Sequence, residues 1–102
     1  MFEKLSGWGG FPRLYTEKKI PKTIEELKRY LKEGSAIARG NGRAYGDSAI
    51  SKKNTISMSQ FNRFLEFDDD NGLLTVEAGV LLSDVIKIFL PRGWFLPVTP
   101  GT

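Results

Sequence analysis

The chain has 102 residues, which suffices for one domain or part of one, and 40% of them are hydrophobic, so a modest core is expected. Its 15 basic and 12 acidic residues leave a net charge of +3, too mild and too evenly spread to indicate nucleic-acid binding. Because cysteine and histidine are both absent, disulfides, thiolate nucleophiles, Ser-His triads and Cys/His zinc sites are excluded within the chain. No apolar run approaches the roughly 20 residues of a membrane-spanning helix, which predicts no transmembrane segment and a cytoplasmic location.

A segment rich in glycine and aromatic residues, Leu5 to Pro12, opens the chain and predicts a loop, here called the aromatic lead-in. Its large rings, Trp8 and Phe11, need a surface to cover. One interpretation is a loop pinned on the core by Trp8, and the other is a docking site for a partner. Tyr15 to Ile20 then predicts an extended segment leading to a first strand.

An amphipathic helix is predicted next. Thr23 and Glu26 match a capping box, and Gly34 ends the helical pattern. Four apolar side chains recur at helical spacing: Ile24, Leu27, Tyr30 and Leu31. This stripe predicts a face that packs on the core, and the alternating lysines and glutamates predict a solvated face.

The central stretch, Ala38 to Ser48, is here called the glycine loop. It follows a short apolar run that predicts a buried strand, and it carries three glycines and two arginines: Gly40, Gly42, Gly46, Arg39 and Arg43. Glycines allow close approach of a ligand to main-chain N–H groups, and arginines add positive charge. It lacks the third glycine of a Rossmann turn and the Gly-Lys-Ser/Thr of a P-loop. The residues alone therefore leave two interpretations, an ordinary surface loop and a phosphate cradle.

The second half of the chain predicts strands and one more helix. Asn54 to Met58 predicts a short strand, and Phe61–Phe67 with Leu73–Ala78 predicts a β-hairpin around the Asn-Gly turn. The adjacent aspartates Asp68, Asp69 and Asp70 suit that turn, with a calcium site as the alternative.

Gly79 breaks the hairpin's second strand, and a second helix is predicted after it. Ser83 or Asp84 is expected to cap this helix, and Pro91 to Gly93 is expected to end it. Trp94 to Val98 then predicts a short apolar strand before a final turn.

Four blocks of the sequence resemble the flavin-binding domain of the vanillyl-alcohol oxidase type, also called the PCMH type. Within that family they are most similar to the decaprenylphosphoryl-ribose 2-oxidase group. The blocks occur in order and at suitable spacing: Leu5–Gly9, Ala38–Asp47, Val76–Val80 and Leu90–Thr102. The resemblance implies an α+β fold, with residues 1–102 forming the first portion of such a domain: a small βαβ subdomain followed by antiparallel strands and a helix.

The same resemblance implies FAD as the cofactor and assigns residues to it. The cofactor-binding set is Ala38, Arg39, Gly40, Asn41, Gly42, Arg43, Ala44, Tyr45, Gly46, Asp47, Ser48, Gly101 and Thr102. The glycine loop would wrap the pyrophosphate through main-chain N–H groups, and the turn at Gly101 would lie beside the isoalloxazine ring. Tyr45 would lie near the flavin and the substrate entrance, and Asp47 would brace the loop by accepting backbone hydrogen bonds.

Two positions depart from the family pattern. Many relatives carry a histidine at the position of Arg43 and attach the flavin through it, so a chain without histidine or cysteine is expected to hold FAD non-covalently. Ala44 stands where the subgroup usually has serine, which removes one hydroxyl donor near the phosphates.

The implied activity is flavin-dependent oxidation of an alcohol carbon in a sugar or polyprenyl-phosphosugar. The resemblance places the missing part of the FAD domain and a substrate domain after this segment, so no catalytic residue and no metal site are predicted here. The implied partners are FAD, the remainder of its own protein and a partner reductase or epimerase; membrane association of the parent stays open. The alternative is a non-catalytic interaction module that kept the scaffold.

Overall fold

The computed structural model describes residues 2–100, so the predicted cofactor residues Gly101 and Thr102 lie outside the described range. The elements follow in the order β1 (Phe2–Ser6), β2 (Arg13–Lys19), α1 (Ile24–Leu31), β3 (Ile37–Arg39), β4 (Asn54–Ser57), β5 (Phe64–Asp68), β6 (Leu73–Val76), α2 (Leu82–Phe89) and a 3₁₀ turn at Leu90–Arg92. This mixture of helices with parallel and antiparallel strands confirms the predicted α+β class.

A four-stranded sheet in the order β1-β2-β4-β3 forms the N-terminal half. β4 pairs in parallel with both β2 and β3, so the predicted βαβ unit is β2–α1–β3 with β4 inserted between its strands. β1 pairs antiparallel with β2 and was not predicted, because its sequence has no clear alternation and its strand form depends on the partner.

The interior of this sheet contains hydroxyl groups as well as apolar side chains. Thr16 of β2 and Thr55 of β4 are both 0% exposed, and their Oγ1 atoms lie 2.7 Å apart in a hydrogen bond. Thr55 Oγ1 also accepts a hydrogen bond from the Ser51 N–H at 3.2 Å. Buried polar groups are tolerated when they are paired in this way, and the pairing ties the segment before β4 to the sheet.

The predicted capping box of α1 is confirmed. Thr23 Oγ1 accepts a hydrogen bond from the Glu26 N–H at 3.1 Å, and the Glu26 carboxylate accepts one from the Lys22 N–H at 3.2 Å. The prediction that the apolar stripe packs on the core is wrong for the described chain, since Ile24 and Leu31 are 47% and 54% exposed. No helix within residues 2–100 is long and apolar enough to cross a membrane.

The predicted β-hairpin is confirmed as β5 and β6, which pair antiparallel around the Asp68–Gly72 turn. Its aromatic side chains pack with those of α2 and the segment after it. The centroid of the Phe67 ring lies 4.6 Å from the centroid of the Phe89 ring and 5.3 Å from that of the Trp94 ring. Phe89 is buried, so this cluster forms the apolar core of the C-terminal half.

Two predictions in this half are wrong. The N-cap of α2 is Leu81, which makes no side-chain cap hydrogen bond, rather than Ser83 or Asp84. Trp94 to Val98 is irregular rather than a strand. Gly93 adopts a left-handed conformation with φ of 88°, and the Trp94 N–H donates to the Phe89 carbonyl, which turns the chain back toward the aromatic cluster.

The accessible surface area of the described protein is larger than that of a compact protein of the same mass. Its accessible area is 7289 Å², whereas a compact protein of 11.4 kDa exposes about 5,800 Å². The Cα radius of gyration is 15.7 Å, compared with about 13 Å for a compact chain of this length. The molecule is a slab of 44 × 33 × 16 Å, so much of its apolar surface has no second layer to pack against.

Candidate functional site

The glycine loop leaves the sheet at the carboxyl end of β3, beside the carboxyl end of β4. Arg39 is the last residue of β3, and its carbonyl accepts a hydrogen bond from the N–H of Met58, which directly follows β4. In sheets with parallel strands, ligands bind beyond the carboxyl ends of the strands. The loop therefore occupies the edge at which a ligand is expected.

The main chain of the loop is rich in unused donors. None of the backbone N–H groups from Asn41 to Ala49 donates a hydrogen bond to another residue within the range 2–100. Gly42 and Gly46 have φ of 72° and 62°, values that favour glycine and turn the loop back on itself. A run of free N–H groups in a folded loop is a donor surface that suits an anion.

Asn41 of the glycine loop lines three cavities. The largest, about 520 Å³, is here called the loop–turn cavity because the glycine loop and the turn before Gly101 both line it. Its walls are Asn41, Arg43, Leu81, Leu82, Ser83, Ile86, Thr99 and Pro100. The first turn of α2 thus faces the same space as the loop and the end of the described chain.

The two smaller cavities differ in charge. One of about 280 Å³ contains the cationic side chains Lys18 and Arg39 with Ser57 and Ser59. The other, about 210 Å³, is lined by Asn41, Ser59, the carboxylate-bearing Asp84 and their neighbours. Lys18, Ser57 and Ser59 were not predicted as site residues, although their positions at or just beyond strand ends are a usable signal.

The two arginines of the loop have different partners. The Arg39 guanidinium donates to the Ser6 carbonyl at 3.0 Å and to the Ala49 carbonyl at 3.4 Å. It therefore braces the two ends of the loop, a role that the sequence analysis did not assign to it. The Arg43 guanidinium lies 4.2 Å from the centre of the Trp8 ring and also lines the loop–turn cavity.

The other predicted loop residues are mostly exposed. Tyr45 is 66% exposed, and Ala44 supplies a carbonyl that accepts from the Trp8 N–H at 2.8 Å. Asp47 braces the loop through its main-chain carbonyl, which accepts from the Ile50 N–H at 3.4 Å. The role predicted for the Asp47 side chain in the cofactor site stays a prediction.

The aspartates of the hairpin turn have ligand oxygens within 4.8 Å of one another. Asp68 accepts hydrogen bonds from the N–H groups of Asp70 and Asn71 and from the Asn71 side chain. These bonds, led by the one from the Asn71 side chain, hold the pKa of Asp68 below its ordinary value. Turn geometry thus accounts for the arrangement.

Residues 16–102 match the family model of the FAD binding domain. The chain belongs to this family. The match includes the glycine loop and extends to residue 102, and it confirms the resemblance to this family. FAD is the cofactor of the FAD binding domain family.

The chain is also similar in sequence to individual oxidase and dehydrogenase relatives. The chain is 40% identical over 82 residues to decaprenylphosphoryl-beta-D-ribose oxidase from Mycolicibacterium smegmatis, covering 78% of this chain and 18% of that protein. It is 32% identical over 79 residues to L-gulonolactone oxidase from Scyliorhinus torazame, covering 72% of this chain and 17% of that protein. Similarity to D-lactate dehydrogenase from Anaerostipes hadrus is 29% over 89 residues, 87% of this chain and 16% of that protein. The chain therefore spans less than a fifth of the length of these relatives.

The donor set of the glycine loop fits FAD. The diphosphate bridge of FAD carries only hydrogen-bond acceptors and a negative charge, and the loop offers main-chain N–H groups with Arg43 beside them. Gly40 has no heavy atom within 4 Å of the position of an added Cβ, so the main chain there is open to close approach.

Proposed function

We propose that the glycine loop binds the pyrophosphate of FAD through its main-chain N–H groups. The residues proposed to contact the cofactor are Ala38 to Ser48, together with Gly101 and Thr102 beside the isoalloxazine ring. FAD is held non-covalently, because the chain has neither histidine nor cysteine to form a bond to the flavin.

The observation that carries this proposal is the loop–turn cavity. Asn41 and Arg43 on one side and Thr99 and Pro100 on the other line the same space of about 520 Å³. A cofactor whose diphosphate lies on the loop can therefore reach the segment that leads into Gly101. Leu82 and Ser83 in the first turn of α2 line this cavity too, and the positive end of a helix favours the same negative charge.

The parent protein is proposed to be an oxidoreductase that acts on a CH–OH group of a sugar or polyprenyl-phosphosugar. The bound flavin supplies the redox chemistry by accepting hydride from the alcohol carbon. The residues of this chain bind and orient the cofactor, and none of them is assigned a catalytic role. The residues that bind the substrate are expected to lie in a domain outside this chain.

The uncovered surface supports the domain assignment, in which residues 1–102 are the first part of the FAD-binding domain. The described chain exposes about 1,500 Å² more than a compact protein of its mass, and both apolar residues at the ends of α1, Ile24 and Leu31, face outward. The remainder of the FAD-binding domain is the proposed cover for this surface.

A matched pair of glycine variants tests the cofactor assignment. Gly46 and Gly93 have φ of 62° and 88°, and at both an added Cβ has no heavy atom within 4 Å. Gly46→Ala and Gly93→Ala therefore introduce the same kind of backbone strain, about 1 kcal/mol, inside and outside the glycine loop. FAD affinity of the full-length protein, measured by flavin fluorescence titration, is expected to fall about tenfold or more in Gly46→Ala and to change less than twofold in Gly93→Ala.

Two results would overturn the proposal. Equal FAD affinity in the two variants would show that the glycine loop does not bind FAD. Retention of flavin on the denatured polypeptide after acid precipitation would contradict non-covalent binding.

A further inference from the structure

The aromatic lead-in contacts the glycine loop along its length. The Ser6 carbonyl accepts a hydrogen bond from the Arg39 guanidinium, and the Trp8 N–H donates to the Ala44 carbonyl at 2.8 Å. The Trp8 ring lies under the Arg43 guanidinium, 4.2 Å from ring centre to guanidinium carbon. Of its two large rings, Trp8 is partly covered in this way, whereas Phe11 remains 81% exposed.

A close main-chain approach between the two segments joins Gly7 to Gly46. Gly7 is buried, and a Cβ added to it would lie 2.1 Å from the Gly46 carbonyl oxygen and 2.8 Å from the Gly46 nitrogen. Real Cβ atoms do not come within 3.0 Å of other heavy atoms, so only glycine fits at position 7 without moving the loop. Gly46 itself has φ of 62°, a conformation that this contact holds in place.

The glycine loop needs such external support. Its own N–H groups from Asn41 to Ala49 make no hydrogen bonds within residues 2–100, so internal bonding does not define its shape. Glycine-rich segments lose more conformational entropy on ordering than other sequences, and a loop that is ordered before its ligand arrives binds it more tightly.

We propose that the aromatic lead-in is a positioning element for the cofactor loop, with Gly7 and Trp8 as its positioning residues. Gly7 sets the path of the main chain at Gly46, and Trp8 holds Ala44 and Arg43 on the other side of the turn. The loop therefore presents its N–H groups in a fixed arrangement before FAD binds. This inference rests on the proposed function of the loop and extends it to a segment outside the proposed cofactor-binding set.

Gly7→Ala in the full-length protein tests the proposal. Its affinity for FAD and for ADP, which carries the same diphosphate, is expected to fall roughly tenfold or more, because several hydrogen bonds are misaligned together. Its affinity for adenosine, which lacks phosphate, is expected to stay within about twofold. General destabilisation would weaken ADP and adenosine alike, so their affinity ratio separates positioning from a merely structural role. Gly93→Ala is the control for a destabilising glycine substitution away from the loop.

If Gly7→Ala does not fold, a second pair of variants tests whether the aromatic lead-in positions the glycine loop. Trp8→Leu removes the ring beneath Arg43 and leaves the main-chain hydrogen bond to Ala44 intact, and it is expected to weaken ADP binding about threefold. Trp94→Leu makes the same change in the aromatic cluster, where no effect on ADP affinity is expected.

The outcomes distinguish the two proposals. If Gly46→Ala loses ADP affinity while folded Gly7→Ala keeps it, the positioning role is overturned and the cofactor assignment stands. If Gly7→Ala is unfolded, equal ADP affinities of Trp8→Leu and Trp94→Leu overturn the positioning role. Unchanged affinity in Gly46→Ala overturns the cofactor assignment itself.

Discussion

The four-stranded sheet and the hairpin–helix half of the molecule differ in what fills their interiors. Between β2 and β4 the fully buried side chains are Thr16 and Thr55, joined by a hydrogen bond of 2.7 Å. In the other half Phe67 and Trp94 pack around the buried ring of Phe89. The interior of the sheet combines a directional polar bond with apolar burial at Ile50 and Ile56, whereas the interior of the other half relies on apolar burial.

This difference matches the position of the candidate site. The glycine loop is anchored to the polar half by hydrogen bonds of Arg39, Ser51 and Trp8, whose geometry is directional. Apolar burial is non-directional and supplies stability without specifying one loop conformation. We infer that the polar contacts of the sheet provide geometry for the cofactor loop, whereas the aromatic cluster stabilises the C-terminal half by apolar burial.

The largest effect is expected from removing the centre of the aromatic cluster. Phe89→Ala should lower the free energy of unfolding by about 3–5 kcal/mol, because it deletes a buried ring and leaves a cavity. Ile88→Ala, the adjacent and 41% exposed position on α2, is the control and should cost clearly less. Urea denaturation of both variants measures the difference, and equal losses would show that the cluster is not the core of this half.

A smaller effect is expected from the hydroxyl pair in the sheet. Thr16→Val keeps the shape of the side chain but leaves the buried Thr55 hydroxyl without one partner, at a cost of about 1–3 kcal/mol. Thr75→Val, on the exposed side of β6, makes the same substitution where no buried partner is lost. The free energy of unfolding of each variant measures the contrast. A Thr16→Val protein as stable as Thr75→Val would remove the distinction between the two interiors.

The smallest effect is expected from an exposed ion pair at the hairpin. The Arg63 guanidinium donates to the Glu77 carboxylate at 2.9 and 3.2 Å, and this hydrogen bond, ahead of the charge interaction, holds the pKa of Glu77 below its ordinary value. Because a lowered pKa favours the folded state while the carboxylate is ionised, the contribution is present above the ordinary glutamate pKa. It is lost as the pH falls through the lowered pKa.

Arg63→Met should therefore raise the pKa of Glu77 toward its ordinary range, as measured by carbon NMR titration of the carboxyl group. The Arg63 main-chain N–H, which donates to Glu77 Oε1 at 2.9 Å, remains in this variant and keeps part of the shift. Arg92→Met, which removes an arginine that does not contact Glu77, is the control. A Glu77 pKa that is the same in Arg63→Met as in the unaltered protein would show that the Arg63 side chain does not cause the shift.

Patterns within a few neighbouring residues were sufficient to predict much of the fold. The capping box of Thr23, the hairpin turn at Asn71 and Gly72, and the strand at Asn54 were each predicted and are present. Each depends on local backbone chemistry: a side-chain cap, a turn conformation or a short run with β-branched residues. The composition of the glycine loop likewise indicated an anion-binding segment, although residues alone left an ordinary surface loop open.

Contacts between residues far apart in the sequence determined the features that could not be predicted from local patterns. The strand form of β1 depends on pairing with β2, and the exposure of Ile24 and Leu31 on α1 depends on which surface lies opposite them. The support of Gly46 by Gly7 joins positions almost 40 residues apart. The local composition shows that a loop can bind an anion. The N–H groups from Asn41 to Ala49 donate to no other residue within residues 2–100, so no local hydrogen bond orients them. The direction in which they point is therefore determined by the packing of the rest of the chain around the loop.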